Sequence, residues 1–289
     1  MTDRARLARV TVYPFKSLDG LDRPASRIVE SGALAGDREF AAFDADGEYV
    51  NGKRERRVHR IRAAFGGPGG ADEPDEGDEG DEPGEEPWRR VTLRPADADP
   101  VTVRLGAADG RARAGRAFEE YLGYPVTVRR DGSGGFPDDQ ALSGPTLVST
   151  ATIREVASWF DGVDEAGMRR RLRANLEVDG VPAFWEDRLF ADRGEGVAFE
   201  VGGTRFVGVN PCQRCVVPSR DPDTGEAYPG FRERFVEKRR ETKPPWTDGE
   251  RFDHDFRLML NTVVPASTVG ERVAVDDEVR VGETVPVDA

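Results

Sequence analysis

The two cysteines of this 289-residue chain, Cys212 and Cys215, lie three positions apart in the segment VNPCQRCVVPSRDPDTGE. Two cysteines do not make a disulfide framework, so a C-x-x-C pair in such a chain indicates redox, metal-binding or catalytic chemistry. A zinc site needs four nitrogen or sulfur ligands, and the rest of the chain offers only two distant histidines, His59 and His254. This shortage argues against zinc.

Three other interpretations of the cysteine pair stay open. A thioredoxin-like pair must start a helix, which lowers the pKa of one thiol, whereas VVPSRDPDTGE indicates a short strand followed by a turn. Both thiols can instead be small apolar residues at the end of a strand. In the third interpretation one thiolate, kept ionised by Arg205, Arg214 and Arg220, binds a soft metal whose remaining ligands come from a cofactor.

The elements before the cysteine pair are predicted to be mostly strands. LARVTVYP alternates apolar residues, and REFAAFDADGEYV contains two short apolar runs around a DADG turn, which indicates a hairpin. RRVTLRP, PVTVRLG and PVTVRR are further strand candidates, and residues 115–123 predict a short helix closed by glycine. The glycine-rich stretch at 130–139 is the expected linker between two domains, 1–129 and 130–289.

Helices become more frequent after this linker. Thr152 and Glu155 have the spacing of a capping box, which predicts that a helix begins at Thr152. EAGMRRRLRANL predicts a second helix, and residues 231–241 predict an exposed, arginine-rich third. Because strand patterns (LEVDG, GVAFEVGGTRFVGV, ERVAVDDEVRVGE) still outnumber helical ones, we expect a β-rich α+β protein with barrel-like sheets.

The charge of the chain is distributed unevenly. The net charge is −13, but residues 71–86 alone hold ten carboxylates and no base, and outside them 45 acids face 42 bases. Such an acidic segment repels nucleic acid, so no nucleic-acid partner is expected. Residues 66–87 have too little apolar surface to fold and are predicted to form a disordered loop.

The sequence also bears on localisation. It contains no run of about 18 apolar residues, the length of a membrane span, and MTDRARLARVTVYPFKS lacks the apolar core of a secretory signal. We therefore expect a cytoplasmic protein with no membrane partner. The chain has four lysines against 38 arginines and abundant Asp, which suggests a halophilic source or a high-GC genome.

Several segments, taken in order, resemble one family. PCQRCVVPSRDPDTGE resembles the C-x-R-C and D-P-x-T-G signature of MOSC-domain proteins, specifically the group that contains the mitochondrial amidoxime-reducing component. VYPFKSLDG, LAGDREFAAFDADGEYVNGK and RLRANLEVDG are similar to that family's Y-P-x-K-S, G-x-x-x-D-R and R-F-R-P-N elements. The resemblance spans most of the chain and implies a MOSC β-barrel domain plus an N-terminal β-barrel-like domain.

The resemblance also implies a cofactor site. In these relatives a pyranopterin chelates molybdenum through two sulfurs, and the second cysteine of the motif adds a ligand, so Cys215 is the expected metal ligand and catalytic residue, with Cys212 a packed bystander. A dianionic phosphate suits a lysine and a forked guanidinium, and an asparagine offers both a donor and an acceptor to the pterin. By position, the expected cofactor-binding residues are Lys16, Ser17, Arg38, Ser143, Arg173, Asn175 and Cys215.

The chain departs from the family pattern at two positions. Ala174 stands where relatives usually have proline, and Leu142 stands where an aspartate is common, just before Ser143. The DPDTG segment is not a calcium loop, because Arg232 occupies the place of the twelfth-position carboxylate. We expect it to form an ordered turn that supports the cysteine.

The resemblance finally implies an activity. The expected protein is a molybdenum-cofactor oxidoreductase that reduces N-hydroxylated or related N–O and S–O substrates with two electrons and two protons. A carrier of the cofactor or of sulfur, with a persulfide on Cys215, is the alternative, and a thiol–disulfide protein also stays open. A fused ferredoxin domain would need four more cysteines, so a separate ferredoxin or flavoprotein is the expected electron donor, docking on the arginine-rich helix unless that helix is an ordinary solvated one.

Overall fold

The computed structural model describes residues 4–66, 86–138, 142–244, 247, 252 and 254–287. Over these residues the chain forms fifteen strands and four α-helices, which confirms a strand-rich α+β fold. The predicted disordered loop at 66–87 lies outside the described residues except at its two ends. None of the described helices is long and apolar enough to cross a membrane.

The strands are β1 (Arg6–Val12), β2 (Leu21–Arg23), β3 (Ala25–Arg27), β4 (Phe40–Phe43), β5 (Ile61–Phe65), β6 (Arg90–Pro95), β7 (Val101–Arg104), β8 (Thr127–Arg130), β9 (Leu147–Ser149), β10 (Leu176–Asp179), β11 (Glu195–Val201), β12 (Thr204–Gln213), β13 (Arg257–Val263), β14 (Arg272–Ala274) and β15 (Val279–Pro286). The helices are α1 (Ala108–Leu122), α2 (Thr150–Ser158), α3 (Glu165–Leu172) and α4 (Phe231–Thr242).

The largest sheet has eight strands in the order β15-β11-β12-β13-β9-β10-β1-β2. Strand β1 joins it by antiparallel pairing with β10, where Val10 lies opposite Leu176. The backbone N–H of Val279 donates to Ala5 O at 2.9 Å, so the start of β15 also lies against β1 and the sheet curls back on itself. The predicted domain boundary between residues 129 and 130 stays a prediction. Strands β1 and β2, which precede it, belong to the same sheet as strands that follow it.

The smaller sheets β5-β6-β7, β4-β8 and β14-β3 complete the architecture. Helix α1 packs with the first two of these sheets around a core that includes Phe15, Phe40 and Phe118. A second core underlies the large sheet, and a third lies between helices α2, α3 and α4, with Phe231, Phe235 and other aromatic rings in contact.

Helix α1 begins seven residues before the predicted helix at 115–123, so that prediction was too short. The missed first turns contain Gly110, and glycine disfavours helix interiors. A Cβ on Gly110 would lie 1.8 Å from Arg104 O, so glycine is required where the helix packs on the end of β7. The predicted glycine end is confirmed, because Gly123 caps the helix with φ 79°.

Helix α2 has a different cap from the predicted one. Ser149, not Thr152, is the N-cap, and its hydroxyl accepts from the Thr152 N–H at 3.1 Å. The Thr152 hydroxyl is buried and donates to Glu186 Oε2 at 3.0 Å. Serine and threonine are both good caps, and only tertiary contacts decided between them.

Glu186 is a buried carboxyl in the 3-10 turn Trp185–Leu189, with 1% of its surface exposed. Its Oε1 has no hydrogen-bond partner in the described structure. The pKa of Glu186 is raised from 4.5 to about 7. Burial is the main cause, and the negative charge of Asp187 is the second. The carboxyl is therefore easier to bury protonated than charged.

We expect Glu186 to make the protein less stable as the pH rises. Because its pKa is higher in the folded state, its contribution is complete below about pH 4.5 and is lost by about pH 7, a change of about 3 kcal/mol. Urea unfolding should show that wild type loses stability relative to Glu186→Gln over this range, because glutamine cannot ionise. Glu233→Gln, on the exposed surface of α4, is the control, and a parallel pH dependence of wild type and Glu186→Gln would contradict the prediction.

Candidate functional site

A cleft of about 1000 Å³ lies between the first segments of the chain and the loop that carries Cys215. All seven residues predicted to bind a cofactor line this cleft, although they are spread over 200 positions of the chain. They are Lys16, Ser17, Arg38, Ser143, Arg173, Asn175 and Cys215. The fold thus brings the predicted site residues together, while their binding roles stay predictions.

The cleft is strongly basic, in contrast to the acidic chain as a whole. Among the residues that the structure describes, four acidic ones line it, Asp19, Asp22, Asp37 and Asp138, against eleven basic ones. The basic residues are Arg9, Lys16, Arg38, Lys53, Arg62, Arg169, Arg170, Arg171, Arg173, Arg214 and Arg220. A cleft with this balance attracts anionic ligands.

The Cys215 side chain is a free, exposed thiol just beyond the end of β12. Arg214 fixes the backbone beside it, because its N–H donates to Phe256 O at 3.0 Å and its Nη2 donates to Leu172 O at 2.8 Å. The predicted short strand after the cysteines is wrong, since Val217–Ser219 forms a 3-10 turn. Pro218 has no N–H to give to a sheet, which explains the turn.

Cys212 is buried, and its thiol donates to Asn261 Oδ1 at 2.8 Å. Burial raises the pKa of Cys212 to about 11, so this thiol stays protonated at neutral pH. The burial of Cys212 agrees with the expectation that it is a packed residue and not a metal ligand. No three His, Cys, Asp or Glu side chains gather as a metal site in the part of the chain that the structure describes.

Lys16 and Arg38 lie side by side because their segments pair in parallel. The Lys16 N–H donates to Phe40 O and the Arg38 N–H donates to Tyr13 O, both at 2.8 Å. The Lys16 ammonium is almost buried and contacts Asp138 Oδ1 at 2.6 Å. Burial lowers the pKa of Lys16, and the charge of Asp138 opposes that shift.

Three of the predicted site residues have left-handed backbone conformations. The φ angles are 73° at Ser17, 52° at Arg38 and 58° at Arg173. A non-glycine residue in such a conformation costs about 1–3 kcal/mol when strained, and such residues concentrate at functional sites. Met259, with φ 71°, lines the same cleft. The sequence contained no signal of this strain, because none of these residues is glycine or asparagine.

Arg173 ends helix α3 and points into the cleft beside Tyr13. Its Nη1 donates to Leu18 O at 2.7 Å, and its guanidinium lies 4.1 Å from the centre of the Tyr13 ring. Burial raises the pKa of Tyr13 to about 12, so the phenol stays protonated and donates to Ala174 O. The contacts with Leu18 O and with the Tyr13 ring together fix the position of the Arg173 guanidinium.

Asn175 is 2% exposed and its amide is fully hydrogen-bonded within the protein. Its Nδ2 donates to Thr11 O and to Asp37 Oδ1, each at 3.1 Å, and its Oδ1 accepts from the Thr146 N–H at 3.1 Å. Asp37 in turn forms an ion pair with Arg38. This geometry gives Asn175 a positioning role toward Arg38, while the predicted direct contact with a cofactor stays a prediction.

Ser143 lies at the rim of the cleft, where its hydroxyl donates to Ser31 O. That hydroxyl therefore already has a protein acceptor. Its predicted contact with a cofactor stays a prediction, and the residues immediately before Leu142 lie outside the described structure.

The DPDTG segment forms an ordered turn behind the Cys215 loop, as predicted. Asp221 Oδ1 accepts from the N–H groups of Asp223 and Thr224 at 3.0 and 2.9 Å. Arg170 donates two hydrogen bonds to Asp223, each at 2.8 Å, and the buried Arg171 donates to Pro218 O at 3.2 Å. Helix α3 therefore supports the loop that carries the thiol.

The sequence interpretation missed several residues of the cleft. His59 was treated as distant from the cysteines, yet it lines the same cleft. Asp37 and Asp138 are the acidic partners of Arg38 and Lys16. Asp37 was visible as the neighbour of Arg38 in GDRE, whereas nothing in the sequence pointed to Asp138.

Two models of known families match the chain. A model described as the MOSC N-terminal beta barrel domain matches residues 4–122, and the MOSC domain model matches residues 136–285, more than half of the chain. No curated protein matches. Lys16 and Arg38 fall within the first matched range and Arg173 and Cys215 within the second, so the cleft is built from both.

Proposed function

Because the chain belongs to the MOSC-domain family, we propose that it is a molybdenum-cofactor oxidoreductase that reduces N-hydroxylated or related N–O and S–O compounds. MOSC domains are associated with molybdenum cofactor sulfurase and with proteins like the amidoxime-reducing component, so a function related to this cofactor follows from the family. One observation carries the finer proposal: an exposed thiol, that of Cys215, stands in the wall of a strongly basic cleft.

The residues of the cleft fit the cofactor. Its metal takes soft sulfur ligands, which Cys215 supplies, and its phosphate is anionic, which suits Lys16 and Arg38. The buried Nε of Arg214 has no hydrogen-bond partner in the described structure, so the wall beside the thiol holds an unused donor. When bound, the cofactor supplies the two-electron redox chemistry.

The side chains would hold and orient the reactants. In the overall reaction the N–O bond of the substrate breaks, two electrons and two protons are taken up, and the oxygen leaves as water. Cys212 is a poor proton donor because its pKa lies near 11. His59 also lines the cleft, but burial and the neighbouring arginines lower its pKa, so no side chain is assigned as the proton donor.

A separate ferredoxin or flavoprotein remains our proposal for the electron donor. The predicted helix at 231–241 is confirmed as α4, which buries Phe231, Phe235 and Arg239. Its exposed residues include both arginines and glutamates, so the helix is not a purely basic surface. The docking site of the donor is therefore not assigned to α4.

The carrier hypothesis draws on the same exposure of the thiol. A sulfur carrier needs a thiolate that a partner can reach, and the Cys215 side chain is exposed. The two functions differ in outcome. An enzyme reduces an amidoxime with an artificial electron donor, whereas a carrier holds a cyanide-labile sulfur on Cys215 and gives no turnover.

We expect the protein purified from a host that makes the cofactor to contain molybdenum and pterin in equal amounts and to reduce benzamidoxime with reduced viologen. Lys16→Ala should lower cofactor content by about 10-fold to 100-fold, the range seen when a supporting contact of a metal site is lost. Elemental analysis and pterin fluorescence measure this loss. Lys238→Ala, at a partly exposed position of α4 that does not line the cleft, is the matched control, and cofactor-free wild-type protein would contradict the proposal.

A further inference from the structure

The basic residues of the cleft fall into two groups. Most of them contact a carboxylate, as in the pairs Lys16–Asp138, Arg38–Asp37, Arg62–Asp19, Arg169–Glu177 and Arg170–Asp223. Lys53 and Arg220 differ, because no carboxylate of the described residues lies within ion-pair distance of either. Arg173 and Arg214 share that property, and like Arg220 they donate to backbone oxygens, those of Leu18 and Leu172. Arg220 differs from both because the oxygen it contacts, Gly52 O, also contacts a histidine.

Arg220 and His59 converge on one backbone oxygen. Arg220 Nη1 lies 2.6 Å from Gly52 O, and His59 Nε2 lies 3.2 Å from the same oxygen. A carbonyl oxygen only accepts, so His59 Nε2 carries the hydrogen and Nδ1 is the nitrogen that takes up a proton. Burial lowers the pKa of His59, and the positive charges of Arg220, Arg173 and Arg171 lower it further.

The backbone at Gly52 lies close against the His59 ring. A Cβ on Gly52 would lie 2.7 Å from His59 Nε2, so only glycine fits beneath the ring. Lys53 follows directly, with its N–H bonded to Asn51 Oδ1 at 3.1 Å and its side chain exposed. Three segments, the turn at Gly52, the 3-10 helix Arg56–Arg60 and the loop after the cysteines, thus bring Lys53, His59 and Arg220 to the cleft that Cys215 also lines.

We propose that Lys53, His59 and Arg220 form a subsite that binds an oxyanion of the substrate, such as a carboxylate or a sulfonate. Two cations without carboxylate partners attract the anion, and His59 becomes a second donor when the anion makes its protonation favourable. The subsite itself rests on the described residues alone. The claim that the anion belongs to the substrate rests on the proposed function. It implies that the substrates are N–O or S–O compounds that also carry an acidic group.

The test uses the two histidines as reporters in the cofactor-free protein. NMR titration should give a His59 pKa below the usual value, and added sulfate should raise it by about 1 unit because an anion stabilises the imidazolium. Arg220→Gln should raise the His59 pKa without sulfate and weaken sulfate binding at least about 5-fold. Arg205→Gln, on the exposed side of β12, is the matched control, and the His254 signal should not respond in parallel.

Several outcomes would overturn the subsite. One is a His59 signal that ignores sulfate, and another is unchanged sulfate binding in Arg220→Gln. If Arg220→Gln does not fold, Lys53→Gln must weaken sulfate binding in its place. Failure of the cofactor analysis leaves these NMR results unaffected, so the subsite and the proposed function can fail separately.

Cofactor-loaded protein decides between substrate and cofactor as the source of the anion. The His59 response to sulfate should persist after loading, whereas its disappearance would show that the cofactor's phosphate fills the subsite and would overturn the assignment to substrate. In turnover, Lys53→Gln should raise KM about 10-fold for 4-carboxybenzamidoxime and leave KM for benzamidoxime unchanged, as expected for a contact made only with the acidic group. Equal effects on both substrates would also overturn it.

Discussion

Replacing Cys215 with serine is expected to remove bound molybdenum and to lower amidoxime reduction at least about 100-fold, because losing a supporting contact alone costs 10-fold to 100-fold. A serine hydroxyl does not ionise near neutral pH and is a harder ligand than a thiolate. The Cys215 side chain is exposed, so the substitution removes little packing and the protein should unfold at the same urea concentration. Elemental analysis, viologen-coupled turnover and urea unfolding measure the three quantities.

Cys212→Ser is the matched control for this experiment. A serine at this position can still donate to Asn261, so molybdenum content should stay at the wild-type level. If Cys215→Ser kept its metal while Cys212→Ser lost it, the two cysteines would have the opposite roles to those assigned here. Full metal content in both variants would exclude either thiol as a ligand.

Asp187→Ala is expected to be among the most destabilising substitutions in the chain, lowering the free energy of unfolding by about 3–5 kcal/mol. Arg239 Nη2 contacts both oxygens of Asp187 at 2.7 and 2.8 Å, and the two side chains are only 4% and 5% exposed. The pair joins α4 to the 3-10 turn before β11. Removing the carboxylate leaves a buried guanidinium without its counter-charge.

Urea unfolding in low and high salt measures this effect. Because the pair is buried, the loss should be nearly the same at both salt concentrations. Lys238→Ala breaks a partly exposed ion pair with Glu241 on the same helix and should cost about 0.5 kcal/mol or less. Equal losses in Asp187→Ala and Lys238→Ala would show that burial does not determine the strength of these pairs.

The double variant Asp187→Leu with Arg239→Met distinguishes the net contribution of the ion pair from the cost of leaving one buried charge unpaired. Replacing a buried ion pair by apolar side chains of similar size is often neutral or stabilising. We therefore expect the double variant to recover most of the stability that Asp187→Ala loses. A double variant less stable than Asp187→Ala would mean that the pair contributes a net attraction larger than its desolvation.

Much of the fold could be predicted from local patterns. Helices α3 and α4 and strands such as β10 and β11 follow local patterns, which depend only on neighbouring residues. The predicted second helix, 165–176, was too long, because α3 ends at Leu172 and Leu176 already belongs to β10. The errors also have local causes. Gly110 hid the start of α1, Ser149 competed with Thr152 as a cap, and Pro218 turned a predicted strand into a 3-10 turn.

The site was predicted less completely than the fold. Motif order along the chain picked out Lys16, Arg38, Arg173 and Cys215, and the structure brings all four to one cleft. His59 was missed because nothing in the sequence indicates which residues meet across the fold. Such contacts depend on the pairing of distant strands, as in β1 with β10.

By itself the sequence determined the kinds of groups available: two thiols, few histidines, a surplus of arginine and segments in a recognisable order. Only the tertiary structure decided which of these groups are buried, exposed or paired with an opposite charge. It buried the Cys212 thiol and exposed that of Cys215, neutralised Lys16 with Asp138, and left Lys53 and Arg220 without a carboxylate among the described residues. The reason is physical: solvation and Coulomb energy depend on distances between residues far apart in the chain, and those distances exist only after folding.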